Sequence, residues 1–267
     1  MSEDVKITAV YDLDYPEKTK IIDSSVKRTN TECVKAIKKI LTNNASFDIN
    51  IAKAFFKLAP EYNIDPVMVI AQSILETGWF KYQNSAVKAE QHNYCGLGVT
   101  GNGVTGASFK TIEDGVRAQL QHLFAYGCKT ALPSDETILD PRYSLVTRGI
   151  ATYWQQLAGR WACPGYDSKT YSTPKEAMEA ENTYGQKILT ICKSILSITV
   201  SDTDINKYFP KAAVSEEKTV AKSTVEQEQL EKPANNNKTE STNSTELIIN
   251  TLKKLITLLT DMFNKGD

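Results

Sequence analysis

No run of about 18 apolar residues occurs anywhere in the 267-residue chain, so the sequence offers no membrane-spanning helix. The first residues, Met1-Ser2-Glu3-Asp4-Val5, carry neither the basic patch nor the apolar stretch of a secretory leader. The expectation is a protein made in the cytoplasm without a signal peptide. Excess charge of either sign is also missing: 31 Lys and Arg face 32 Asp and Glu, a net charge of −1. Without a global basic field a nucleic-acid partner is not expected. The basic run Lys35, Lys38, Lys39 reads as a solvated helix face. There is no C-x-x-C pair. The five cysteines (33, 95, 128, 163 and 192) are scattered and odd in number, which suits reduced thiols rather than a disulfide frame or a zinc site. The two histidines, His92 and His122, have no partners at ligand spacing, so neither a metal nor a cofactor is expected.

What is present is mostly helical. Residues 1–28 are polar and weakly patterned, an N-terminal extension in which Val5, Ile7 and Val10 suggest a short strand. Thr29 to Glu32 spells a capping box, followed by Val34, Ile37, Ile40 and Leu41 at helical spacing. A second helix carries Ile51, Phe55, Leu58 and Tyr62, bent or ended by Pro60. Asp65-Pro66 opens a third, apolar almost all round from Val67 to Leu75 and so predicted to be central, with Gly78 to stop it. Residues 79–110 are broken by glycines and read as a loop with a small β-lobe. Thr111 caps the next helix, whose stripe is Val116, Leu120, Leu123 and Phe124 and whose end is Gly127. Thr173-Pro174 starts another, and Tyr184, Ile188, Ile191 and Ile195 mark the closing one.

The composition changes near residue 210. Residues 211–244 are rich in Lys, Glu, Thr, Ser and Asn and read as a disordered linker, which sets the domain at 29–210. In 245–267 the residues Ile248, Leu252, Leu255, Leu259 and Met262 form an amphipathic heptad seam, a candidate for homo-oligomer contacts over 245–264. Gly96 to Gly101 spells G-x-G-x-x-G, but no helix pattern follows it, so nucleotide binding is not expected.

The chemistry concentrates in Ala71 to Phe80 (AQSILETGWF). Glu76 is a carboxylate at the end of an apolar helix. Apolar surroundings and the negative helix end both disfavour its charged form. A carboxyl kept protonated near neutral pH is what a glycosidase needs to protonate a leaving oxygen. Gln72, one turn back, could line the same cleft. Position alone leaves open that Glu76 is a solvated C-terminal residue. Trp79, Trp154 and Trp161 are candidate sugar platforms, with core packing as the competing reading for each; Trp161, in the loop at Gly159-Arg160, is the one most expected to be exposed.

Several stretches in order resemble the bacterial glucosaminidase family, glycoside hydrolase family 73. They are Ala71 to Phe80, Glu90 to Gly98 (EQHNYCGLG), Gly106 to Tyr126, Asp140 to Tyr143 (DPRY), Tyr153 to Gly165 (YWQQLAGRWACPG) and Tyr184 to Leu189 (YGQKIL). The resemblance implies a mainly α, lysozyme-like fold with a small β-lobe. It implies endo-β-N-acetylglucosaminidase activity on peptidoglycan, at the β-1,4 bond after N-acetylglucosamine. It assigns Glu76 as general acid, Asn93 and Tyr94 to a motif beside the cleft, and Tyr184 to the active-site lining. The second catalytic group is open between Glu90, in the expected lobe, and Glu113, in a capped first turn, with a lean to Glu90. The substrate's own N-acetyl group is a third choice. The competing functions are a lytic transglycosylase or muramidase on the same polymer, although no E-S-x-x-N/F sequence follows Glu76, and a non-catalytic wall-binding protein. A wall hydrolase with no leader would reach its substrate at host lysis or from a virion, as a phage endolysin does.

Overall fold

A computed structural model describes residues 8–101 and 103–210. The linker and heptad seam expected over 211–267 lie outside the described residues, as do Val5 and Ile7. The described residues form a mainly α domain, with isolated bridges at Lys20/Tyr153 and Ala158/Ala162 in place of any sheet. None of its helices is long and apolar enough to cross a membrane.

Each helix starts where a side chain accepts an orphan backbone N–H. Helix α1 (Asn30–Asn43) has the full Thr29/Glu32 capping box. Helix α2 (Ile49–Leu58) is capped by Asp48 and runs into a 3-10 turn, Ala59–Tyr62, which holds Pro60. Helix α3 (Pro66–Thr77) begins with Asp65 accepting from Val67 N–H at 2.9 Å. Arg28 grips the same Asp65 carboxylate and bonds Glu32 at 3.0 Å, tying the starts of α1 and α3 together. Helix α3 stops at Gly78, whose φ of 57° is the left-handed cap that glycine adopts without a Cβ penalty.

Helix α3 is the axis of the fold. Val67, Val69, Ile70 and Ala71 are fully buried, as a helix apolar on all sides must be. Helix α6 (Tyr184–Leu196) packs along it, and α4 (Ile112–Gly127) lies against α2. Two short helices complete the set: α5 (Pro174–Glu179), and α7 (Asp202–Tyr208), which Ser201 caps and the Asp204–Lys38 pair (2.9 Å) fastens to α1. The sequence pattern did not announce α7, a single capped piece too short to show periodicity.

Two expectations need correction. Val10 lies in a 3-10 turn, Val10–Asp12, and not in a strand. From there the presumed extension joins the core: Val10 and Ile21 are buried, Ile21 N–H reaches Thr152 O at 2.9 Å, and Trp154 N–H reaches Thr19 O at 2.9 Å. The lobe expected over 79–110 contains no strand among the described residues. Side-chain amides hold it instead. Asn93 donates to Leu97 O (2.9 Å) and Ala107 O (3.0 Å) and accepts from Leu97 N–H (3.0 Å). Gln91 spans to Thr105 O at 3.0 Å. The glycines that interrupt this stretch break any ladder before it can propagate.

All five cysteines are free. Burial pushes the Cys33 and Cys192 thiols up to about 12, which makes them inert packing residues.

Candidate active site

Glu76 sits in the last turn of α3, partly open to solvent but with its carboxyl set among protein groups. One oxygen, Oε1, accepts two hydrogen bonds: the indole N–H of Trp161 at 3.1 Å and the hydroxyl of Tyr184. Oε2 has no partner among the described residues. Tyr184 is the first residue of α6, so the packing of α6 on α3 delivers its hydroxyl to Glu76. Trp161 comes from the turn after the 3-10 helix Trp154–Leu157, where its own N–H closes on Leu157 O at 2.8 Å.

A buried relay stands behind Tyr184. Gln72 Nε2 donates to the Tyr184 hydroxyl at 3.0 Å, Gln119 Nε2 donates to Gln72 Oε1 at 2.9 Å, and Ser73 Oγ donates to Gln119 Oε1 at 3.0 Å. Ser73 Oγ is shared between Gln119 and Val69 O (3.1 Å), and because Gln72 donates to the Tyr184 oxygen, the Tyr184 proton is directed to Glu76.

Burial dominates the electrostatics and raises the Glu76 pKa above the ordinary glutamate value. The bonds from Tyr184 and then Trp161 pull the other way, because they favour the ionised form. The net direction is upward. Burial also drives the Tyr184 hydroxyl well above the usual tyrosine range, followed by the adjacent Glu76 charge, so Tyr184 remains a neutral donor.

A raised carboxyl pKa has a stability consequence of definite sign. The unfolded chain ionises first as pH rises, so Glu76 costs nothing at low pH and destabilises the native state above the ordinary glutamate pKa. Glu76→Gln, which keeps the acceptor oxygen, is expected to melt a few degrees higher than the parent near neutral pH and equally at acid pH. Thermal melts across that range check it; a gap that does not close on acidification would contradict the burial argument.

The other expected site residues are distributed differently. Gln72 is fully buried and touches Tyr184, which corrects its assignment as a direct sugar contact. Asn93 is fully buried and organises the lobe. Tyr94, 1% exposed, packs edge-on against Phe55 at 5.9 Å and Phe80 at 6.3 Å. Neither offers a surface to substrate. Trp154 is likewise fully buried, its indole nitrogen unpartnered, and cannot serve as a sugar platform. Trp79 is partly buried against the core, on a run of left-handed backbone that also includes Phe80, Tyr82 and Asn84. Trp161, expected to be the exposed platform, is half-buried and acts on Glu76 as a donor.

Neither candidate for the second carboxylate bonds Glu76 or its two donors. Glu90 is exposed on the 3-10 turn Ala89–Gln91 and lines a separate hollow of about 230 Å³ with Asp48, Tyr82 and His92. Glu113 lies in the first turn of α4 and pairs with Lys57 at 2.7 Å, a surface contact that accounts for it.

The profile of one family, described as mannosyl-glycoprotein endo-beta-N-acetylglucosaminidase, matches residues 52–197. The chain belongs to the glucosaminidase family. It is therefore a glycoside hydrolase by descent. A Borreliella burgdorferi protein that carries only the name "uncharacterized protein" is 34% identical over 171 residues, 62% of this chain and 82% of its own length. No solved structure matches.

Sequence reasoning missed two parts of this glucosaminidase's centre. Gln119 falls inside the family-like stretch Gly106 to Tyr126, but nothing in the sequence marks it out, since a buried glutamine on an amphipathic helix looks like any polar position. The pairing of His122 with Asp140, at 2.7 Å, joins residues on α4 and in the following loop that no spacing rule connects. Both fell within family-like stretches, His122 in Gly106 to Tyr126 and Asp140 in DPRY, but nothing in the sequence paired them.

Proposed function

We propose that this glucosaminidase is an endo-β-N-acetylglucosaminidase that hydrolyses the β-1,4 bond after N-acetylglucosamine in peptidoglycan, with Glu76 as the proton donor. The observation that carries this reading is the half-satisfied carboxyl. Both donors fall on Oε1, which leaves Oε2 as the oxygen that holds the proton and can pass it to a glycosidic oxygen. As the proton leaves, charge develops on a carboxylate already met by two donors, so the product state is stabilised without rearrangement. Tyr184, kept neutral, serves as one of those donors, and Gln72 and Gln119 orient it.

Attack at the anomeric carbon needs a second group. Among the described residues no other carboxylate hydrogen-bonds within this cluster. The reading that fits is participation of the substrate's own N-acetyl oxygen, with water completing the reaction. Participation of this kind confines the cut to the bond of a sugar that bears a 2-acetamido group, which N-acetylglucosamine supplies.

Product analysis tests the proposal. Purified cell walls are digested, the products reduced with borohydride and the new ends identified. Reduced N-acetylglucosamine is the expected end. A reduced muramic end would make the protein a muramidase, and a 1,6-anhydro muramic end would make it a lytic transglycosylase. A role as an endolysin is part of the same reading and has its own check: protein added from outside should clear a suspension of wall-exposed cells.

A further inference from the structure

Trp161 is held from behind by a buried hydrogen-bonded pair, His122 and Asp140, outside the Glu76–Tyr184 contact. His122 Nδ1 lies 2.7 Å from Asp140 Oδ2, and both side chains are almost wholly shielded from solvent. Asp140 is itself fixed at several points. Its Oδ1 accepts Arg142 N–H at 2.8 Å, while its own N–H and that of Leu139 donate to Gln121 Oε1 at 3.1 Å and 2.8 Å. The His122 ring stands edge-to-face with Trp161 at 4.8 Å and with Tyr126 at 5.3 Å, and Tyr126 lies 5.8 Å from Trp161. The Tyr126 hydroxyl donates to Arg160 O at 3.2 Å, on the residue just before Trp161. The imidazole is therefore one wall of the slot that the indole occupies, and Asp140 sets the plane of that wall.

We propose that His122 and Asp140 are positioning residues for the acid: they orient Trp161 so that its indole N–H bears on Oε1 of Glu76. The inference rests on the reading of Glu76 as proton donor. A tryptophan on a loop has two free torsions, and a displacement on the order of 1 Å is enough to degrade a hydrogen bond. The edge-to-face contacts restrict the ring, and the His122–Asp140 bond keeps the imidazole from turning out of the contact. The charged or titratable neighbours of this assembly are Tyr184 and Cys95 beside Glu76, with Cys95 also within range of Asp140, and Arg142 and Arg160 near Tyr126.

The test reads the indole directly and needs no substrate. The protein is labelled with ¹⁵N at its tryptophan side chains, and the resonance lost in Trp161→Phe identifies the indole of Trp161. In the parent this resonance should titrate with Glu76, and Glu76→Gln should abolish that titration. In Asp140→Asn and in His122→Phe, both checked for folding by thermal melts, the titration should lose amplitude and its midpoint should move to higher pH, because a carboxylate with a loosened donor is less stabilised. The direction is discriminating in Asp140→Asn. Simple removal of a negative charge near Glu76 would move the midpoint down. A downward shift with undiminished amplitude, or a titration identical to the parent's in both variants, would overturn the proposal.

Wall digestion supplies a second readout. His122→Phe should move the basic limb of the pH–rate profile upward, and should add no further shift in a Trp161→Phe background; an additional shift there would also overturn it. Failure of the parent to digest walls would count against the functional reading, while the indole titration would still decide the positioning claim.

Discussion

Glu76→Gln is expected to lower the rate of wall digestion by about 10³-fold or more, the scale on which a positioned general acid contributes. The change is nearly isosteric. The glutamine carbonyl can still accept from Trp161 and Tyr184, so the loss should appear in kcat while substrate binding and the melting curve remain intact or improve. The parent's own pH dependence follows from the same group. A general acid works only while protonated, so activity should fall as pH rises through the Glu76 pKa, which burial displaces upward from the usual glutamate range. Glu76→Gln should remove that limb along with the activity. A variant that clears walls as fast as the parent would show that the proton comes from elsewhere.

Gly115→Ala is expected to be the most damaging glycine-to-alanine change among the described residues. A Cβ at Gly115 would stand 1.8 Å from His92 O and 2.9 Å from His92 C, both backbone atoms that cannot rotate away. Gly115 is in the interior of α4, where alanine would normally be favoured by about 1 kcal/mol. The clash reverses that sign, and the expected cost is about 3 kcal/mol or more of stability. Because His92 is in the turn that leads to Asn93, the damage should also spread to the lobe beside the cleft. Denaturant titration measures the cost. A neutral result would mean that the lobe can step back from α4 without consequence.

The helices were legible because their signals are local. Thr29/Glu32, Asp65-Pro66, Thr111 and Thr173 are caps that satisfy backbone donors within a few residues, and all four stand at helix starts in the fold. The centrality of α3 could be read from its lack of a polar face. Glu76 stood out for the same reason, as the only charge in an apolar helix, and Tyr184 was joined to it by resemblance rather than by periodicity. What the sequence concealed is set by long-range packing. Trp154, Asn93 and Tyr94 look like cleft residues in a motif, yet two are fully buried and Tyr94 nearly so, because a motif records what must be kept and not where it faces. The Ser73–Gln119–Gln72 relay and the His122–Asp140 pair join distant or differently patterned positions, and no one-dimensional spacing encodes such meetings. The lobe misled in another way. Glycine-punctuated, β-prone pieces suggested strands, but the amides of Asn93 and Gln91 took over the work of a ladder.

The threading of residues 8–28 through the core bears on how this enzyme could be recombined. The family match begins at residue 52, yet Ile21 is a fully buried member of the hydrophobic core and Thr19 and Ile21 bond the backbone that leads into the Trp154–Leu157 turn. A catalytic module cut at the edge of the recognised homology would leave behind helix α1 and the segment around Thr19 to Ile21 that steadies the approach to Trp161. Gene shuffling that respects only the boundaries of similarity would transplant the acid without its scaffold.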